Sequence, residues 1–174
     1  MANPDEQLIH VVDDDSRILG PIARGLCHGN PALIHRAVHV LVLNKAGRLL
    51  LQKRSKWVDS HPGKWDTSVG GHVGFGQSYL EAALREIEEE IGIPAGNIEP
   101  LYSLRFRNAQ ESENICTYLL KHDGPFQPHP DEVEELRFWS RVEIESALKQ
   151  GVFTQNFEEE FEAFKASPAG EALL

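Results

Sequence analysis

The sequence has few cysteines, no long apolar run and a deficit of positive charge. Its 174 residues include only two cysteines, Cys27 and Cys116, and no CxxC pair, which excludes a disulfide framework. The longest apolar run, Ala37 to Leu43, is far shorter than the about 20 residues that cross a bilayer. The first residues are acidic and lack the basic and apolar regions of a signal peptide. We therefore expect a cytoplasmic protein with no membrane segment.

The charge balance limits the kind of partner. Seventeen Lys and Arg residues against 27 Asp and Glu residues give a net charge of −10. Because like charges repel, this balance excludes a protein that wraps nucleic acid through its phosphates. It leaves open a small phosphate-bearing molecule whose charge is screened by metal ions. The composition, 41% hydrophobic and 25% charged, is that of an ordinary globular domain.

The order of predicted elements indicates an α+β fold with a mixed sheet between helices. A hairpin is expected in 8–20, followed by short helical turns in Pro21 to Cys27. Residues 35–44 and 48–54 resemble a second hairpin around the Asn44 to Gly47 turn. Further strands are predicted at 100–107, 114–121 and 135–140, and helices at 77–91, 141–150 and 154–165. We divide the chain into an N-terminal hairpin with a short helix (1–30), a main domain (31–166) and a frayed tail (167–174).

The predicted helix from about Gln77 to Ile91 carries acid on one face. At 100° per residue, Glu86, Glu89 and Glu90 share a face, whereas Leu80, Leu84, Ile87 and Ile91 form an apolar one. Carboxylates at these spacings repel one another unless a divalent cation lies among them. Arg85 is placed to hold a neighbouring carboxylate in position. By contrast, we expect Glu158, Glu159, Glu160 and Glu162 on the last helix to form a solvated face.

The segment from Gly71 to Ile93 resembles the Nudix box, G-x5-E-x7-R-E-U-x-E-E-x-G-U, in which U is aliphatic. Eight of its nine fixed positions match, namely Gly71, Arg85, Glu86, Ile87, Glu89, Glu90, Gly92 and Ile93. Gln77 stands where the pattern has Glu, and we expect it to weaken metal binding rather than abolish activity. The resemblance implies a Nudix fold, an α/β/α sandwich with a catalytic loop–helix–loop.

The resemblance also implies roles for these residues. Glu86, Glu89 and Glu90 would bind Mg²⁺ or Mn²⁺, with the Gly71 carbonyl as a further ligand. Arg85 would belong to the same catalytic set, and Glu86 would help to activate the attacking water. Nudix enzymes often draw one more acid from a later loop. Glu132 is the preferred extra ligand, and Glu135 is the second choice.

Other residues resemble the branch that contains isopentenyl-diphosphate isomerases and isomerase-like Nudix hydrolases. In the isomerases three His and two Glu residues bind a metal. His28, His35 and His72 match those His positions and Glu113 one of the acids, whereas Ile115 stands where the other belongs. Gly70 replaces the isomerase's active-site cysteine. The His residues are equally compatible with ordinary hydrogen-bonded side chains.

Three functions follow as hypotheses. The first is a diphosphate hydrolase acting on a nucleoside diphosphate linked to another group X, with Arg54, Arg105 and Arg107 as candidate phosphate contacts. The second is an isomerase of prenyl diphosphates, which Gly70 disfavours. The third is a non-catalytic module that binds a nucleotide or metal, for which Gln77 is the only support. A small-molecule diphosphate is the expected partner, and the family resemblance suggests a homodimer.

Overall fold

The protein is described by a computed structural model that covers residues 4–58, 60–94 and 96–173. Three α-helices are present in these ranges: α1 (Tyr79–Ile91), α2 (Arg141–Ala147) and α3 (Gln155–Lys165). The strands in the same ranges are β1 (Leu8–Val12), β2 (Ile18–Ala23), β3 (Ile34–Leu43), β4 (Leu49–Arg54), β5 (Trp65–Asp66), β6 (Val69–His72), β7 (Glu99–Arg107), β8 (Ser112–Lys121) and β9 (Val133–Trp139). Of the helices in the described part of the chain, none is long and apolar enough to span a membrane.

Strand β3 is the centre of a mixed sheet. It runs parallel to β8 along its whole length and antiparallel to β6 and β1. Strand β7 extends the sheet beyond β8, whereas β5 and β9 pair with β4. Because helices cover both faces, β3 is apolar on both, with Val38, Val40 and Val42 towards α1 and Leu41 and Leu43 towards α3. The predicted α+β architecture, a mixed sheet between helices, is confirmed.

Strands β3 and β4 separate soon after the turn that joins them. They pair only at Leu43 and Leu49, so the predicted second hairpin is wrong beyond its turn. The hydroxyl of Ser68 bridges the point of separation, donating to the Leu50 carbonyl and accepting from the Val42 amide. Beyond Ser68, β6 follows β3 while β5 follows β4. The sheet is therefore split between two pairs of strands, β3 with β6 on one side and β4 with β5 on the other.

Helix α1 is rotated relative to the predicted apolar face. Ala83, Ile87 and Ile91 are buried as a stripe, but Leu80 is 46% exposed. The prediction for Leu80 is therefore wrong. Glu86 and Glu90 are turned inwards on the same side of the helix and are buried as well. This rotation places two carboxylates at the split.

Two terminal predictions are corrected. The segment predicted as helical turns continues as β2 to Ala23, and only Arg24–Leu26 forms a 3-10 turn. The tail is not frayed through residue 173. Pro168–Ala172 forms a 3-10 helix capped by Ser167, and Leu173 is buried against the α3 core. The Ser167 cap and the burial of Leu173 together hold this segment on the domain.

Replacement of Gly92 by Ala is expected to destabilise the protein by more than about 1 kcal/mol. Gly92 ends α1 with a φ of 65°, and an added Cβ would lie 2.3 Å from the Gln127 carbonyl oxygen. Gly151→Ala is the matched control, since its φ is 75° and nothing lies within 4 Å of the added atom. Urea unfolding of both variants measures the difference. Equal losses would contradict the claim that the Gln127 contact requires glycine.

Candidate metal and diphosphate site

The start of α1 is fixed by a capping box. The Ser78 side chain accepts a hydrogen bond from the Glu81 amide, and the Glu81 carboxylate accepts one from the Ser78 amide. Glu81 is thus engaged in the cap. In the preceding loop the Gln77 side-chain oxygen accepts a hydrogen bond of 3.0 Å from the Gly74 amide. An uncharged amide therefore performs a structural role at the position where the box pattern has Glu.

Arg85 organises the carboxylates at the middle of the helix. Its guanidinium donates to Glu86 Oε1 at 2.6 Å and to the His72 carbonyl at 3.1 Å. A further hydrogen bond reaches the carboxylate of Glu89. Charge-assisted hydrogen bonds of this kind are strong and directional. Arg85 therefore ties the helix to the end of β6 and orients two of the three predicted ligands.

Glycines on β6 allow the helix carboxylates to reach the strand. A Cβ on Gly71 would lie 2.1 Å from Glu86 Oε1, so only glycine leaves room for that carboxylate. The neighbouring Gly70 amide donates to Glu90 Oε2 at 3.0 Å. The side-chain amide of Gln52, on β4, donates to the same oxygen at 3.0 Å. Glu90 thus spans the split in the sheet.

Burial and mutual repulsion raise the pKa of two of the clustered carboxylates. Burial raises the pKa of Glu86 to about 7, and the charges of Glu89 and Glu132 add to the rise against the opposing effect of Arg85. Burial also raises the pKa of Glu90 well above its ordinary value, with Glu86 and Glu132 contributing. Glu132 is therefore close enough to act on both helix carboxylates. A divalent cation would relieve this repulsion.

The donor set fits magnesium or manganese. Carboxylate and carbonyl oxygens are the hard ligands that these ions prefer, and nitrogen or sulfur donors are not needed. Glu86, Glu90 and Glu132 act electrostatically on one another, Glu89 is tied to Glu86 through Arg85, and Gly71 lies against Glu86. The predicted ligands are thus brought together around the end of β6.

Without metal, stability is expected to fall as the pH rises. Glu86 has a folded-state pKa of about 7 against an ordinary value of 4.5, so the folded protein binds this proton more tightly than the unfolded chain. Between about pH 4.5 and 7 the free energy of unfolding therefore decreases, by roughly 3 kcal/mol for this group. Urea unfolding in EDTA at several pH values measures the change. Glu86→Gln removes the titrating group, so an unchanged pH dependence in this variant would contradict the assignment.

A second cluster lies on the other face of the sheet. Glu113 Oε1 is 3.3 Å from His35 Nε2 and 3.6 Å from His72 Nε2, and the His28 ring centre is 5.4 Å from that of His72. Both Nε2 atoms are buried without a partner in hydrogen-bonding geometry. One donor atom from each of His35, His72 and Glu113 falls within 4.8 Å of the others. Of the four residues predicted as a second site, the structure brings His35, His72 and Glu113 together, and His28 lies nearby but is exposed.

Burial and the neighbouring groups of this cluster shift the pKa values of its side chains. Burial lowers the pKa of His72 to about 3. Burial also opposes the charge on His35, but contacts with Cys27 and Glu113 outweigh it and raise its pKa to about 10. Burial raises the pKa of Glu111 to about 7, and the charge of Glu113 adds to the rise. Sequence reasoning missed Glu111, which directly precedes β8 and lies two residues before Glu113.

The predicted phosphate contacts do not converge. Arg54 donates to the Ser60 carbonyl and lies 3.4 Å from Asp66. Glu135 lies opposite Lys53 in the β4–β9 ladder, on the same side of the molecule as Arg54. Arg105 and Arg107 lie on β7 instead, beside the loop between β1 and β2.

Arg107 has clear structural partners. It donates to the Glu113 carbonyl and to the side-chain oxygen of Asn114 at 2.6 Å. Arg105 is largely exposed and 3.7 Å from Asp15. These contacts support the hairpin and β8 rather than a common phosphate site, and a phosphate role for the arginines remains a prediction.

Glu160 is not on a solvated face. Its side chain is fully buried, 2.6 Å from His39 Nδ1 and 2.6 Å from the Tyr102 hydroxyl. The prediction is wrong because Glu160 lies three residues after Phe157 and four before Phe164, on the apolar side of α3. That spacing was the available signal. No sequence feature marked its pairing with His39.

The sequence and the fold are similar to those of known proteins. The model of the NUDIX domain matches residues 33–161. An uncharacterized Nudix hydrolase of Yersinia pestis is 32% identical over 138 residues, covering 78% of this chain and 74% of the relative. An isopentenyl-diphosphate Δ-isomerase of Nocardia farcinica is 32% identical over 146 residues, covering 80% and 83%. The crystal structure of DR0079 from Deinococcus radiodurans superposes with a TM-score of 0.76 at 25% identity, covering 88% and 96%.

Proposed function

The chain belongs to the NUDIX family and is a hydrolase of diphosphate bonds, and on that premise we propose its substrate and its site. The proposed substrate is a nucleoside diphosphate linked to a further chemical group, X. The diphosphate would be cleaved at the carboxylate cluster around Glu86. The observation that carries this proposal is the inward rotation of α1. It buries Glu86 and Glu90 against Gly70 and Gly71 and within electrostatic reach of Glu132.

The residues have distinct proposed roles. Glu86, Glu89, Glu90 and Glu132, with the Gly71 carbonyl, would hold Mg²⁺ or Mn²⁺, which supplies charge neutralisation of the diphosphate and a lowered pKa of bound water. Glu86 is also the proposed base for the attacking water, since its carboxylate lies against Gly71 among the proposed ligands. Arg85 orients Glu86 and Glu89, and Gln52 with the Gly70 amide fixes Glu90.

A substrate panel tests this proposal. The compounds are nucleotide sugars, ADP-ribose, NADH, dinucleoside polyphosphates and nucleoside triphosphates, each assayed with Mg²⁺ and with Mn²⁺. We expect at least one X-linked diphosphate to be hydrolysed, and activity to disappear on EDTA treatment and return with metal. Ligand-induced stabilisation without turnover of any compound would instead favour a binding module.

Isomerase activity is the second candidate. It is supported by the identity to the Nocardia isomerase and by the convergence of His35, His72 and Glu113. Gly70 opposes it, because no thiol is present where the isomerases place their active-site cysteine. Isopentenyl diphosphate is therefore included in the panel. Its conversion to the allylic isomer would overturn our preference for hydrolysis.

We further propose that His28, His35, His72 and Glu113 hold a second divalent metal. Two buried, unpartnered Nε2 atoms beside a carboxylate support this site, and imidazole suits zinc or manganese. Loading with Zn²⁺ or Mn²⁺ followed by elemental analysis is expected to show one ion fewer in His72→Asn than in wild type. His122→Asn, on the β8–β9 connection, is the control. Equal metal content in all three proteins would contradict the site.

The remaining proposals concern the cellular location of the protein, its partner and its oligomeric state. We place the enzyme in the cytoplasm, in line with its two free cysteines. Its partner is the small-molecule substrate, and a homodimer remains a prediction.

A further inference from the structure

A buried ion pair lies beside Gly70, on the face of the sheet opposite α1. His39 Nδ1 is 2.6 Å from Glu160 Oε2, and that carboxylate also accepts from the Thr117 hydroxyl at 3.3 Å and from Tyr102. His39 is 6% exposed, and Glu160 and Thr117 are fully buried. A buried ion pair adds little to stability compared with apolar side chains of the same size. Its presence beside a reactive site therefore suggests a functional role.

The imidazole occupies the space that a side chain at position 70 would take. A Cβ built on Gly70 would lie 3.3 Å from His39 Cδ2 and 3.7 Å from Nε2. Since Nδ1 is directed at Glu160, the opposite edge of the ring, with Nε2, is directed at Gly70. The Gly70 amide meanwhile donates to Glu90. Gly70 thus contacts Glu90 through its amide on one side and lies against the ring of His39 on the other.

The surroundings of this ring edge are polar. Thr67, whose methyl carbon lies 3.7 Å from the same Gly70 Cβ position, is 2% exposed and its hydroxyl has no hydrogen-bond partner. The Asn156 amide lies 3.4 Å from Glu113, whose charge also acts on His39. These groups suit an oxygen-rich part of a substrate rather than a hydrocarbon chain.

We propose that His39, held by Glu160, is a specificity-determining residue that hydrogen-bonds through Nε2, beside Gly70, to an oxygen of the group X that the diphosphate carries. This inference rests on the proposed function. Glu160 is the positioning residue, because it fixes the ring from the Nδ1 side and does not itself face the substrate. Tyr102 and Thr117 hold Glu160 in turn.

Two substitutions separate this role from a structural one. The His39→Asn side chain places its amide where Nδ1 was and can still contact Glu160, but nothing replaces Nε2. The His39→Gln side chain places its amide where Nε2 was but loses the hydrogen bond to Glu160. We expect His39→Asn to lower kcat/KM for the best X-linked substrate about tenfold, the effect of one hydrogen bond. His39→Gln should retain more activity than His39→Asn while being the less stable variant in urea unfolding. If His39→Asn is as active as His39→Gln or more so, the proposal is overturned.

A binding measurement keeps this inference distinct from the proposed hydrolysis. In the wild-type protein with ¹⁵N-labelled histidine, ADP-ribose and the other X-linked compounds are compared with inorganic diphosphate, each with Mg²⁺. We expect an X-linked compound to move the His39 Nε2 signal and inorganic diphosphate to leave it in place. If nothing in the panel is hydrolysed, the proposed function fails, whereas the subsite fails only if no X-linked compound moves this signal.

Discussion

Replacement of Glu86 by Gln is expected to lower kcat on the order of 10²- to 10⁴-fold, the usual contribution of a positioned general base. The substitution keeps the size of the side chain and its place against Gly71, but removes the charge that Arg85 orients at 2.6 Å. Metal affinity should fall in the same variant, because the carboxylate is also a proposed ligand. Steady-state kinetics over a range of Mn²⁺ concentrations separates the two effects, since saturating metal restores only the loss that arises from affinity.

Glu88→Gln is the matched control for this variant. Glu88 lies on the same helix two residues away, is exposed and belongs to no ligand set proposed for the cluster. Its kcat should stay within about twofold of wild type, because the side chain is exposed and interactions of solvent-exposed charges are weak. Comparable losses in both variants would mean that the net charge of the helix matters and that Glu86 has no special role.

Replacement of Gly71 by Ala is expected to abolish most of the activity while leaving the fold intact. The added Cβ would lie 2.1 Å from Glu86 Oε1 and 2.2 Å from its carboxyl carbon, so the carboxylate must leave its position. Displacement of a catalytic group by about 1 Å can cost about 10²-fold in rate. The variant should still give a cooperative urea transition, because Glu86 is the far end of a flexible side chain and can move aside.

Gly96→Ala provides the comparison for Gly71. An added Cβ at position 96 meets nothing within 4 Å, so activity and stability should match wild type. Mn²⁺ titration of the two variants adds a second readout, and only Gly71→Ala should bind the metal more weakly. Full activity of Gly71→Ala would show that Glu86 functions from a position other than the one described.

The boundaries of α1 could be predicted from the sequence because their signals are local. Ser78 and Glu81 form a capping box over four residues, and Gly92 adopts the left-handed conformation that ends the helix. The spacing of Glu86, Glu89 and Glu90 placed them near one another for the same reason. The orientation of the helix could not be predicted as well. Leu80 is exposed although the periodic pattern placed it inside, since the sheet selects which stripe of the helix it contacts.

Two predictions that depend on contacts between distant parts of the chain are wrong. The second hairpin is limited to its turn because β6 and β8 flank β3, and β5 and β9 flank β4, so the two strands find other partners. The acidic neighbours of Glu160 dominate the local composition and predict a solvated side chain. Its burial depends on His39, which lies 121 residues away in the chain.

The sequence by itself determined the family, the ends of the catalytic helix and the identity of the carboxylates, since these depend on residue types at fixed local spacings. Only the tertiary structure decided that Gly71 must be glycine to admit Glu86, that Glu90 joins two diverging strands and that Glu160 is paired within the core. The physical reason is that these contacts join elements distant in the chain. Their geometry is set by strand register and by which helix face the sheet buries, and neither is encoded in any short segment.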